Sequence, residues 1–475
     1  MITTPKYKAW SKAIAKPATE FDLTPLSVIS GEIPTKLNGS LYRNGPARLS
    51  RNQQRVGHWF DGDGAILGVH FGDGAATGVY RYVKTQGYLD EQKQNSFIYP
   101  NYGMTAKGAF WNNWLKPIKN AANTSVLALP DRLLALWEGG KPHALDLDNL
   151  DTVGLDNLSD LSEQQSFSAH PKVDPATGTI FNYGISPGAN TTLNLYRCDR
   201  HGKLEQQNSC VLSGIPMVHD FCLAGEYMVF LVSPVRANLT DLVLGQKSYS
   251  EAMKWKSELG TEILIFDRDR LSLVSRSTTD PWFQWHFANG YVDRDGNIVT
   301  EFIRYPDFDT NQYLKEVAAG YTETIAKGTL WELTIDPRTG KVVSNRQLLD
   351  LQGEFPLVAP QNVGQSWRYS YLNVHRQGAS TEGELFKAIA RFDRQNNEIA
   401  IADMGDSCYP TEPIFVSDRD KIESGWLITV VYNGNTEQSE VRIYQSDRLE
   451  DNEPLCRLAL PSVIPPGFHG TWKDD

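Results

Sequence analysis

The chain is predicted to be all-β, a β-propeller of seven units. Three observations carry this. Most of the 475 residues fall into short Val/Ile/Leu/Tyr/Phe runs broken by Gly, Asp, Asn and Pro, the pattern of many short strands. One unit recurs, in which an apolar strand ends at an Asp, a polar turn follows and a second strand begins. It is centred on Asp73, Asp146, Asp199, Asp267, Asp336, Asp393 and Asp447, at intervals of 53 to 73 residues. A period that long holds several strands per unit, and seven units suit closure into a ring. Helical periodicity, by contrast, is scarce, with candidates only over 249–258 and 313–319.

Measured from these turns, certain polar residues fall at similar offsets. His170, His219, His286, Glu354, Glu412 and His469 each lie 18 to 24 residues beyond the preceding turn Asp. In a propeller, the strand that follows an outer hairpin is the innermost strand of the next blade. Its start faces the axis, so the four histidines and two carboxylates are expected to converge on one axial point. Each histidine sits among small or apolar neighbours, as in Ser168-Ala169-His170-Pro171 and Gly467-Phe468-His469-Gly470. A lone histidine is more often structural than a ligand. Four at equivalent positions, with no cysteine among them, point to iron, copper, nickel or zinc. His58 and His143 border glycine-rich motifs and read as structural, and His70 and His201 as solvent-facing; His375 receives no role.

Metal-bound imidazoles usually give their second N–H to a carboxylate or carbonyl. Glu138, Glu354 and Glu412 all sit in apolar settings where a free carboxylate is costly. The remaining composition is restrictive. Net charge is −11 with no long basic run, which argues against nucleic acid. Five cysteines without a CxxC make neither a disulfide framework nor a zinc ribbon. The N-terminus lacks an apolar signal core and no run spans a bilayer, so a cytoplasmic protein is expected. No GxSxG or zinc-protease motif is present.

The motifs GEIPTKLNGSLYRNGP (31–46), HWFDGDGA (58–65), SAHP (168–171), VHDF (218–221), EFP (354–356), EPIFV (412–416) and FHGTW (468–472) run in order along the chain. Together with 122–145 they resemble the carotenoid cleavage oxygenase family. The resemblance implies a seven-bladed propeller with a loop and short-helix cap over an axial metal site. The chain is then one domain, 1–475, closed by its two terminal segments and capped near 104–122 and 232–258. It also implies Fe(2+) held by His170, His219, His286 and His469, the catalytic set. Glu138, Glu354 and Glu412 are then the carboxylates behind His219, His286 and His469, and His170 has none. Thr124 corresponds to a position that crowds the iron. Trp137, Trp285 and Phe287 correspond to the passage for substrate and O₂; Phe287 stands where many relatives carry a second histidine.

The implied reaction is O₂-dependent cleavage of a conjugated C=C bond of a carotenoid or apocarotenoid into two carbonyl products, at 15,15′ or 9,10(9′,10′). An isomerase on the same iron site is the alternative, and a non-catalytic binding propeller a weaker one. The segment 108–119 combines Trp, Phe, Leu and Ile with flanking Lys, and together with the Val- and Leu-containing 232–244 suits peripheral membrane contact. A monomer is expected.

Overall fold

A computed structural model of the protein describes residues 7–109, 111–188, 191–376, 378, 380–418 and 424–475. Its strands gather into sheets in chain order, through antiparallel ladders. Ser125–Ala128, Leu133–Leu136, His143–Leu145 and Thr152–Leu155 form one sheet of four. Lys172–Val173, Ile180–Ser186, Thr191–Cys198 and Leu204–Leu212 form the next. Cys222–Ala224, Tyr227–Val232, Thr261–Asp267 and Ser272–Thr279 form a third. A seven-stranded sheet then runs from Phe287–Val292 to Glu398–Asp403. It consists of two meanders sharing the long strand Val342–Leu357, whose first part pairs with Thr329–Ile335 and whose end pairs with Tyr369–Val374.

The two ends of the chain meet twice. Gly470–Asp474 pairs with Gly39–Arg48, and Val28–Gly31 pairs with Cys456–Ala459. A terminus held in a ladder does not fray, so both terminal segments are structural.

All seven Asp positions connect strands that pair with each other. The reason is local. Asp146 Oδ1 accepts from the Asp148 and Asn149 N–H groups, Asp199 Oδ1 from His201 and Lys203, and Asp267 Oδ1 from Asp269 and Arg270. The side chain thereby closes the turn the backbone needs. Between neighbouring sheets the facing side chains are apolar. Phe181, Leu193 and Leu195 pack against Phe230, Leu264 and Phe266 of the next sheet.

The expected helix over 249–258 is corrected. Only Tyr249–Ala252 is α-helical, started by reciprocal hydrogen bonds between Ser248 and Glu251, with a short 3-10 turn at Ser257–Leu259. The chain then turns into the strand Met253–Trp255, which pairs with Val235–Ala237 and buries Met253. Long-range pairing overrides helix propensity here. The second expected helix, 313–319, is present and longer, Asp309–Ala319. The expected cap segments hold only short helices, Asn112–Leu115, Leu239–Val243 and Tyr249–Ala252. Among the described residues no helix is long and apolar enough to cross a membrane.

One buried ionic cluster fixes the approach to Thr124. Lys119 Nζ bonds both Asp63 and Glu91, and Arg51 Nη2 bonds Asp63 Oδ2 at 2.6 Å, all four side chains at most 2 % exposed. Two cations balance two carboxylates. Lys119→Met leaves one carboxylate uncompensated, a loss of about 3–5 kcal/mol by the measured cost of breaking buried pairs. Thermal denaturation of that variant should show a clearly lowered melting temperature; an unchanged one would mean the cluster is not under tension of charge.

Candidate metal centre

The residues singled out in the sequence gather where the sheets begin. Thr124, His170, His219 and His286 each stand one to three residues before the first strand of a sheet or meander; Glu412 stands between two strands that both pair with Gly425–Asn433, His469 directly before the last strand Gly470–Asp474, and Glu354 late in Val342–Leu357. Thr124 thus joins the same series. Its distance from Asp73 hides this, because the helix Gln86–Gln94 and the segment around Asn112–Leu115 intervene.

The imidazole rings meet. His219 Nε2 is 3.3 Å from His286 Nε2, which is 3.1 Å from His469 Nε2. The His170 ring centroid is 4.4 Å from that of His219 and 4.8 Å from that of His469. Ligand nitrogens of His170, His219 and His286 all fall within 4.8 Å of one another. All four rings are buried or nearly so.

Behind the rings stand carboxylates. His286 Nδ1 is 2.6 Å from Glu354 Oε2, and His469 Nδ1 is 2.9 Å from Glu412 Oε1. Glu138 Oε1 lies between two rings, 3.2 Å from His170 Nε2 and 3.5 Å from His219 Nδ1. The Glu138 side chain is 29 % exposed and lines a cavity.

Further residues hold these in turn. Tyr305 donates its hydroxyl to Glu354 Oε1 at 3.0 Å, and the Phe355 N–H reaches Glu354 Oε2 at 2.6 Å. Phe355 adopts φ +56°, a strained value for a bulky residue, and lays its ring near parallel to that of His286 at 5.4 Å. Buried Arg43 donates to the carbonyls of Glu412 and Phe468. Asp220 takes the Phe287 N–H and pairs with Lys172 at 2.8 Å. Arg43, Asp220 and Phe355 sit inside the motifs quoted above. Nothing in the sequence singles out Tyr305.

Electrostatics separate the rings. Burial, and then the neighbouring imidazoles, pull His170 and His219 well below 6.5. Burial also opposes charge on His286, but Glu354, with Asp220 and Glu412, outweighs it and raises this ring. Burial lowers His469 despite Glu412. For Glu412, burial is overcome by His469, Arg43 and the Gly470 N–H, which hold the carboxyl below its usual range. Burial and then Asp220 push Glu138 up.

Such a set fits a metal ion. Two imidazole nitrogens 3.1–3.3 Å apart repel unless a proton or cation lies between them. Neutral nitrogen donors with carboxylates behind them suit a divalent transition metal.

Of the four residues expected along the passage, Thr124 and Trp285 line a cavity of about 590 Å³ that reaches His219, His286 and His469. Trp137 and Glu138 line a second, of about 200 Å³, that reaches Thr124 and His219. Phe287 lies elsewhere. It packs on Phe302 and borders a third cavity, beneath His170 and His286. Its side chain points the opposite way from that of His286, because successive residues of an extended backbone alternate sides. The other histidines are apart from the cluster. His58 is buried against Asn311 and Phe60, and His70 bonds Ser40.

A family model described as RPE65, retinal pigment epithelial membrane protein, matches residues 14–474. The chain is 33 % identical over 463 residues to an apocarotenoid-15,15′-oxygenase of Synechocystis sp., covering 94 % of this chain and 92 % of that protein. It is 25 % identical over 486 residues to resveratrol cleavage oxygenase 1 of Aspergillus fumigatus, covering 96 % and 93 %. Among solved structures, cobalt-substituted Synechocystis ACO aligns with a TM-score of 0.89 at 30 % identity, over 99 % of this chain and 100 % of that one.

Proton occupancy can be measured in protein stripped of metal. Histidine NMR titration should find His170 and His219 neutral below pH 6.5 and His286 protonated above it. The sign for stability follows. His286 contributes below its unfolded value and loses that contribution as pH rises through its raised folded value. His170 and His219 contribute above their unfolded value and lose it on acidification. Four superimposable titration curves would contradict this separation.

Proposed function

Since the chain belongs to the carotenoid cleavage oxygenase family, that of the retinal pigment epithelial membrane protein, we propose that it is an Fe(2+)-dependent dioxygenase acting on carotenoids or apocarotenoids. It cleaves one conjugated C=C bond, 15,15′ or 9,10(9′,10′), into two carbonyl products. The observation that carries the reading is the meeting of four imidazoles, each placed just before a strand of a different sheet, in a chain with an oxygenase relative at 33 % identity.

His170, His219, His286 and His469 would hold the iron. Glu354 and Glu412 fix two of the rings from behind, and Glu138 serves His219 and His170 together. Ferrous iron, when bound, would supply the one-electron chemistry that O₂ needs to attack a polyene. The protein's own part is orientation and exclusion of water. Phe60 lies parallel to the His219 ring at 6.5 Å, and Trp285 stands edge-on to it at 4.8 Å. Trp285 is pinned by its indole N–H to Thr310. Thr124 and Trp137 border the route for substrate and O₂. Phe287 borders the third cavity instead, and its N–H is held by Asp220.

For the architecture we favour a seven-bladed propeller in a single domain, 1–475. Dividing the seven-stranded sheet at Val342–Leu357 gives seven sheets of four or more strands among the described residues, beside two two-stranded ribbons, and the paired termini supply the closure. The segments near 104–122 and 232–258 would form the cap.

The product assay decides the reaction. Iron-loaded protein is incubated with β-carotene, zeaxanthin and apocarotenals, and product masses are read. Two carbonyl fragments support the oxygenase; a single rearranged polyene means the isomerase alternative. His219→Ala should abolish turnover and deplete iron, and Glu354→Gln should lose about 10–100-fold in activity or affinity. Full activity in His219→Ala would overturn the assignment.

Delivery from a membrane is part of this reading. Trp111, Trp114 and Ile118 are 52 %, 55 % and 56 % exposed, and Ile118 lines the second cavity. Asn113 Nδ2 donates to the Gly245 carbonyl, which brings exposed Leu239, Val243 and Leu244 alongside. Phe110, which belongs to the same sequence cluster, lies outside the described residues. Changing Trp111, Trp114 and Ile118 to Ser should lower partitioning onto neutral liposomes by about tenfold or more. Turnover should fall with liposome-borne substrate and hold in detergent. Equal loss in both would mean the cluster is cap packing.

A further inference from the structure

The two cavities that reach the histidine cluster differ in chemistry. The second is walled by Ile118, Trp137, Ile185, Met217 and Val218 on its way to His219. The first leaves the cluster past Trp285 and Phe355 and runs to the segments 322–326 and 380–386. Part of the lining of the first is polar. Asn373 and His375 are two residues apart where the strand Tyr369–Val374 ends, so an extended backbone turns both to one side. Both line the cavity, and Thr322 lines it farther along.

Buried polar groups nearly always have a partner. Asn373 Oδ1 and Thr322 Oγ1 are buried with none among the described residues, although their residues are only 1 % and 6 % exposed. Nor does any hydrogen bond among the described residues reach the His375 ring, which packs against Phe386 at 4.7 Å. Burial pulls its pKa down to about 4, so the ring is neutral, with one donor and one acceptor nitrogen. The neighbouring carboxylate does not satisfy it. Glu384 accepts from the Tyr409 hydroxyl and pairs with Lys8 and Lys387.

We propose that this wall is a subsite for the oxygen-bearing end of the substrate. His375 and Thr322 hydrogen-bond a hydroxyl or carbonyl oxygen there, while the hydrocarbon end lies in the apolar second cavity. The proposal rests on the polyene-cleaving reading above. It makes the first cavity selective, because a ligand without that oxygen leaves buried polar groups unpaired.

The test measures binding by tryptophan fluorescence under anaerobic conditions, with turnover in parallel. The ligands are an apocarotenal with a ring hydroxyl, its analogue lacking the hydroxyl, and its analogue lacking the terminal carbonyl. In the wild type, removing one of the two oxygens should weaken binding, which identifies the end that is recognised. In His375→Phe and in Thr322→Val, the preference for that oxygen should fall about tenfold, the scale of one lost hydrogen bond. His375→Gln, which keeps a donor and an acceptor, should restore part of it. A preference unchanged within twofold in both His375→Phe and Thr322→Val, with unaltered melting and iron content, overturns the subsite. The two readings fail separately. Normal cleavage with an unchanged preference overturns the subsite alone. A collapsed preference with no cleavage of any ligand supports the subsite and overturns the oxygenase.

Discussion

Nitrogen lone pairs brought within 3.1–3.3 Å of one another, away from bulk water, repel. The rest of the centre answers that constraint. Burial keeps His170 and His219 neutral, which raises the repulsion a proton would otherwise relieve. Glu354 raises His286, and Arg43 with the Gly470 N–H holds Glu412 ionised behind His469. The cluster is therefore short of positive charge at its middle and rich in negative charge behind it. A divalent cation resolves both at once. It replaces the proton on His286, so its affinity should rise with pH.

The surrounding fold exists to bring distant chain segments to this point. His170 and His469 are separated by most of the C-terminal two-thirds of the sequence, and only sheet starts arranged around a common centre bring them together. The ladder between Gly39–Arg48 and Gly470–Asp474 is what places His469. The buried Arg51, Asp63, Glu91 and Lys119 cluster does the same for the approach to Thr124.

Much of this was legible in the sequence because its causes are local. An Asp that caps its own turn marks the hairpins at Asp146, Asp199 and Asp267, and a site residue follows each at a similar distance. Thr124 escaped that count because an inserted helix stretches its unit. The expected helix over 249–258 gives way to a strand because pairing with Val235–Ala237 is not visible in local periodicity. Tyr305, the strained Phe355 and the sharing of Glu138 between two rings depend on contacts between remote segments. His375 carried no sequence signal at all, since its meaning lies in a cavity wall assembled from three separate segments.

The central claim is that four imidazoles surround a single ion, and X-ray absorption of the iron-loaded protein tests it most directly. The account predicts a first shell dominated by four nitrogen scatterers with imidazole multiple scattering and no sulfur. It also predicts that His469→Ala removes one imidazole from that shell. A spectrum with fewer than three imidazoles, or one unchanged by His469→Ala, would contradict it.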